Sequence, residues 1–172
     1  HAVQSNWSFY TMYKFNWTAE IVGYSLAVVG VLVAFVQGFL IRKIIPRLGQ
    51  VKSIYLGMSF SALGLLLFGL ASESWMMFAF LIPYCLGGIA GPSIQGVISS
   101  HVPANEQGEL QGALTSLMSL CGVFGPLLMT NLFAFATAKN STFHVPGAPF
   151  FLASCLTLVS FYLSYRTLSK KH

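Results

Sequence analysis

The side chains able to hydrogen-bond a solute without carrying charge are few, and they stand in apolar surroundings. Gln37, Tyr84 and Gln95 lie in stretches free of Asp, Glu, Lys and Arg that run 21–41 and 74–105. An amide or phenol in such a place needs a partner, whether another helix, a water or a solute. Bonding to a neighbouring helix is the commoner use, for these three as for Asn131. Acids and bases are scarcer still. Asp is absent, Glu20, Glu73, Glu106 and Glu109 sit at edges or between stretches, and His101 and His144 fall in expected loops. A proton relay normally needs a titrating group facing the interior, so none is expected within this chain. Catalytic machinery is equally hard to find. The nearest approach to a serine elbow, Gly91-Pro92-Ser93-Ile94-Gln95, lacks the closing glycine and a partner histidine. Neither a His-Glu-x-x-His zinc signature nor a phosphate loop is present. Cys85, Cys121 and Cys155 are scattered and odd in number. No enzyme, metal site or cofactor is expected.

A second group of residues bears on shape. Pro83, Gly87, Gly88, Gly91, Pro92 and Gly96 fall within fourteen residues. Each proline lacks an N–H and frees the carbonyl four residues earlier, at Ala79 and Gly88. A helix over this segment should bend. Gly87 and Gly91 also have the spacing that lets two helices approach closely. Gly122, Gly125 and Pro126 repeat the theme more weakly. Between the two, Asn105 can cap a helix with Glu106 and Glu109 near its positive end, and Gly108 and Gly112 share one face.

What positions these groups follows from the charges. Of 172 residues, 55% are hydrophobic and 8% charged, far below the roughly 25% charge of a soluble domain. The nine Lys and Arg separate long apolar stretches rather than forming a polar face with interleaved aromatics, so nucleic acid is not the expected partner. The lipid bilayer is. About 20 apolar residues cross its core as a helix, which gives complete spans at 19–41, 53–71, 75–100, 111–136 and 149–168. No segment alternates as a barrel strand would, so the fold class is all-α, a polytopic membrane bundle. Residues 1–15 read as the outer end of a truncated span, making six with the first partial. Arg42, Lys43, Arg47, Lys52, Arg166, Lys170 and Lys171 fall on one side, against Lys14 and Lys139 on the other. That bias predicts a cytoplasmic C-terminus in the cell's inner membrane. Trp17, Trp75 and Tyr165 stand near span ends, where aromatic rings suit the headgroup region. Six spans are half of twelve, and many solute carriers are two six-span halves. A membrane sensor or assembly scaffold is the alternative, with the bent helix serving packing alone.

Three blocks resemble the C-terminal half of a major facilitator superfamily transporter, and more closely the tetracycline-resistance type of drug/proton antiporter. They are Gly38-Phe39-Leu40-Ile41-Arg42-Lys43-Ile44-Ile45-Pro46-Arg47-Leu48-Gly49, then Gly87-Gly88-Ile89-Ala90-Gly91-Pro92-Ser93-Ile94-Gln95-Gly96, and then Gln107-Gly108-Glu109-Leu110-Gln111-Gly112 with Gly122-Val123-Phe124-Gly125-Pro126. The resemblance implies a small-molecule solute, protons, and an N-terminal six-span half as partners. It implies that the first and fourth spans here line a central cavity, the second and fifth meet the other half, and the third and sixth face lipid. Arg42, Arg47 and Gly49, with Gln107, Gly108 and Gly112, would belong to cytoplasmic loop motifs. Pro83, Gly87, Gly91, Pro92, Gly125 and Pro126 would allow bending or gating. Gln37 falls on a glutamine shared with those exporters, whereas Val33 and Ser61 stand where some of them carry a histidine and an aspartate.

Overall fold

A computed structural model describes residues 2–137 and 146–168. Lys139, His144, Lys170 and Lys171 lie outside the described residues. Among those described the secondary structure is helical throughout: α1 (Ala2–Phe15), α2 (Ala19–Phe35), a π turn (Val36–Leu40), α3 (Ile41–Leu48), α4 (Gln50–Leu70), α5 (Ser74–Leu86), a 3-10 turn (Gly87–Ile89), α6 (Ala90–Ser99), a second 3-10 turn (Ala104–Glu106), α7 (Gln107–Thr137) and α8 (Ala148–Leu168). Five helical segments are long and apolar enough to cross a membrane: Ala19–Leu48, Gln50–Leu70, Ser74–Ser99, Ala104–Thr137 and Ala148–Leu168.

The junctions follow from their residues. Asn16 takes φ 52°, a left-handed turn that asparagine tolerates better than most side chains. Thr18 then caps α2, its hydroxyl accepting from the Ile21 amide at 3.4 Å, with Glu20 in the favourable first turn. The basic segment expected as a loop, 42–52, is instead helical on both sides of Gly49. Ile41, Ile44, Ile45 and Leu48 recur at i, i+3, i+4 and i+7, an amphipathic pattern that carries the helix past Arg42, Lys43 and Arg47, all exposed. Gly49 alone breaks it at φ 80°, a conformation that favours glycine.

α4 is the hub. Its contacts run to α5, the first 3-10 turn, α6 and α8, and only a stripe including Leu63, Leu66 and Leu70 is exposed. That stripe suits lipid, but the helix as a whole is more enclosed than a lipid-facing span was expected to be. Its approach to α5 and α6 is backbone to backbone. A Cβ on Gly57 would stand 2.6 Å from the Ala90 nitrogen, and one on Gly64 would stand 2.7 Å from the Tyr84 Cα. From the opposite side, a Cβ on Gly87 would collide with the Ser61 hydroxyl. The Ser154 hydroxyl fastens α8 by donating to the Ala62 carbonyl at 2.9 Å.

The main apolar core gathers at the end where α1 finishes and α5 and α8 begin. Trp7, Tyr10, Trp17, Phe68, Met77, Leu81 and Phe150 are buried together there. Trp7 and Tyr10 meet Phe68 and Phe150 edge to face, with centroids 5.0 and 4.7 Å apart. Trp17, expected at the headgroup level, is part of this core: it is 5% exposed, stacks on Phe78 and donates from its indole N–H to the Ser74 hydroxyl. Trp75 remains outside at 67% exposed. The Tyr10 hydroxyl donates to the Phe68 carbonyl at 2.8 Å and accepts from the Lys14 ammonium at 3.0 Å, joining α1 to α4.

The α4 seam yields a prediction. Gly64→Leu must displace the α5 backbone and should cost about 1–3 kcal/mol, read as a lower unfolding midpoint in detergent. Gly91→Leu, with nothing within 4 Å of its Cβ position, should leave that midpoint unchanged.

Candidate functional site

The two irregular turns within spans are neighbours. The π turn at Val36–Leu40 lies against the 3-10 turn at Gly87–Ile89, with Val36 and Ile89 both buried. In the π turn the Ile41 amide reaches back five residues to the Val36 carbonyl, widening the helix. In the 3-10 turn the Ala90 amide reaches back only three, to Gly87, tightening it. Pro92 then falls in the first turn of α6, where a missing N–H costs little. The chain thus absorbs Pro92 by restarting a helix rather than breaking one. Irregular turns of this kind often mark functional positions in membrane and soluble helices alike.

Around this junction the residues divide by face. Gly87 and Ser93 are buried; Gly87 packs on Ser61, and the Ser93 hydroxyl donates to the Ile89 carbonyl at 2.8 Å. Gly91, Pro92 and Gln95, at i, i+1 and i+4, form an exposed face of α6. Gln37 and Gly38 are exposed on the π turn. Neither Gln37 nor Gln95 has a hydrogen-bond partner among the described residues. Tyr84 points elsewhere, with its backbone against Gly64 and its ring 5.4 Å from Phe68. The structure therefore sets Gln37 and Gln95 on open faces beside the paired turns and holds Tyr84 against α4. Gly91 likewise makes no close approach among the described residues, unlike Gly87.

The remaining motif residues are placed as follows. Gln107 closes the α6–α7 connection, its amide donating to the Ser99 and Val102 carbonyls at 2.8 Å each. Asn105, expected to cap the next helix, lies in a 3-10 turn instead and makes no hydrogen bond among the described residues. His101 is exposed, with Nδ1 at 2.7 Å from the Val97 carbonyl. A carbonyl can only accept, so Nδ1 carries the proton there. Gly108 and Gly112 are exposed, with nothing within 4 Å of their Cβ positions. Gly125 and Pro126 lie inside α7, which runs unbroken from Gln107 to Thr137.

One polar group escaped the sequence reading. Asn6 is 1% exposed, and among the described residues neither its amide nitrogen nor its oxygen has a partner. The other buried polar side chains are bonded: Thr11 to Trp7, Ser25 to Val22, Ser53 to Gly49, Ser93 to Ile89 and Ser154 to Ala62. Asn6 shares its helix row with Tyr10 and Lys14, one and two turns further on. A single amide among the aromatic residues of 1–15 gives no periodic signal in the sequence. Asn6→Leu should raise the unfolding midpoint, because an unsatisfied buried amide costs about 1–3 kcal/mol. If the amide serves a solute, the same variant lowers transport; unchanged transport assigns Asn6 to packing.

The family model described as Major Facilitator Superfamily matches residues 3–172. The class C tetracycline resistance protein of Escherichia coli is 37% identical over 151 residues, covering 87% of this chain and 38% of that protein. The class G tetracycline resistance protein of Vibrio anguillarum is 36% identical, covering 89% of this chain and 39% of its own length. Hippocampus abundant transcript-like protein 1 of Mus musculus is 28% identical over 158 residues, covering 84% and 31%. The chain thus spans between three and four tenths of the length of these relatives. No solved structure matches it. With a family match across nearly its whole length and five helical segments able to span a bilayer, this multi-pass membrane chain belongs to the Major Facilitator Superfamily, a family of transporters rather than enzymes.

Proposed function

We propose that this chain is the C-terminal half of a twelve-span secondary transporter that exports a small amphipathic solute across the cytoplasmic membrane by alternating access, coupled to protons. The observation that carries this reading is the open polar face beside two adjoining helix irregularities: Gln37 and Gly38 on one side, Gly91, Pro92 and Gln95 on the other. Unpartnered amides next to deformable turns suit a solute that must be held and then released. Drug export is favoured by the relatives, whose names speak of tetracycline resistance.

The other half would cover α2 and α7, which bury the least of the five candidate spans. Large side chains crowd their surfaces: Val31 and Phe35 on α2, and Val123, Phe124 and Phe135 on α7 are all more than half exposed. The proton-binding group would reside in that half, since the four Glu of this chain are at helix ends or in connections. A cytoplasmic position for the α3–α4 turn and the end of α8 is favoured by Arg42, Lys43, Arg47, Lys52 and Arg166.

Efflux from cells producing the whole transporter tests the reading, with tetracycline as first probe. Gln37→Ala and Gln95→Ala should each reduce efflux about 2–10-fold, the worth of one neutral hydrogen bond, without loss of expression. A sensor or scaffold predicts no effect on efflux. Gly91→Leu should stop turnover while sparing stability, because its face is open here and closes only against another part of the transporter; normal transport by that variant removes Gly91 from the gate.

A further inference from the structure

We propose that the groove between the α3–α4 turn and the end of α8 binds the headgroup of an anionic phospholipid. It has a volume of about 440 Å³ and is lined by Leu48, Gly49, Lys52, Tyr55, Tyr165 and Leu168. The Tyr55 and Tyr165 rings lie 5.6 Å apart, with Phe161 behind Tyr55 at 5.8 Å. Such rings favour the level where lipid carbon gives way to water. Lys52 is exposed and has no carboxylate partner among the described residues. Arg47 precedes Leu48, Arg166 follows Tyr165, and Lys170 and Lys171 come after Leu168. None of the four Glu of the chain lines the groove.

The charge selects the occupant. An apolar helix or a second copy would fill the walls and leave the ammonium unpaired at a desolvated edge. A free phosphate would satisfy Lys52 and leave Leu48, Val51 and Leu168 wet. A phospholipid satisfies both, its phosphate on Lys52 and its acyl carbon along the apolar wall. Basic pockets between helices at the cytoplasmic surface are suited to such headgroups.

Native mass spectrometry of the detergent-purified whole transporter tests this, using dioleoyl phosphatidylglycerol and dioleoyl phosphatidylcholine as probes. The expected result is tighter binding of phosphatidylglycerol, reduced about fivefold by Lys52→Gln and kept by Lys52→Arg. Lys43→Gln should have little effect, since Lys43 lies over the Phe39 ring at 4.6 Å and outside the groove. Tyr165→Leu, which opens the opposite wall without changing charge, should weaken both lipids. Equal affinity for the two lipids overturns the proposal. So does an equal loss from Lys43→Gln, which means diffuse surface charge, and displacement by inorganic phosphate, which means a free-anion site. Unchanged binding in Tyr165→Leu places the lipid elsewhere and overturns it too.

Discussion

The arrangement depends on one close approach, that of the α4 backbone to the α5–α6 backbone. Gly57, Ser61 and Gly64 present almost no side-chain bulk toward Tyr84, Gly87 and Ala90. In lipid, apolar side chains gain little by meeting one another, because the surrounding tails are equally apolar. Helices associate where backbones can pack closely and where hydrogen bonds cross between them. α4 supplies both, through its glycines and through the Ala62 carbonyl that Ser154 reaches. Because the contact is made by backbone atoms and the smallest side chains, little has to reorient, and it fixes where along α4 the α5–α6 segment must sit. That register brings the 3-10 turn level with the π turn of the preceding span.

The seam also explains why α5 and α6 can be irregular at all. A helix interrupted in mid-membrane exposes backbone groups that hydrocarbon cannot satisfy, and such breaks persist only where protein or a water-filled cavity receives them. Here the first 3-10 turn is held against α4 on one side and the π turn on the other. Gly87 and Ile89 are buried by those contacts, whereas Gly91 and Pro92, two and three residues past the turn, are exposed. Rigidity on one face and openness on the other are therefore properties of the same few residues.

How much of this was legible in the sequence varied with the kind of signal. Five long apolar helices were legible because a bilayer imposes a length, and the charge-free stretches match it. The interruption near Gly87 was legible because proline and glycine act locally. Facing was not legible. Gly87 and Gly91 look alike in sequence, yet one packs on Ser61 and the other meets nothing within 4 Å. Trp17 reads as an interfacial ring until Ser74 and Phe78 are seen to enclose it. The π turn around Gln37 carries no compositional mark, since Val-Gln-Gly-Phe-Leu also suits an α-helix. The helix through Arg42 and Arg47 is encoded in the spacing of Ile41, Ile44, Ile45 and Leu48, a signal that the cluster of charges masks.

The two ends of the bundle differ in a way that bears on movement. Where α1 ends and α5 and α8 begin, aromatic rings interlock and the Lys14, Tyr10 and Phe68 groups join α1 to α4. Toward the basic end, contact is carried by Gln50 against Gly96 and by the Tyr55 ring against Phe161 and Tyr165, and the open amides lie on the way there. The irregular turns sit between these regions, so bending there would move the basic end relative to the aromatic one. On the function proposed above, a solute held by Gln37 and Gln95 would feel that bend directly, while the α4 seam would remain in register.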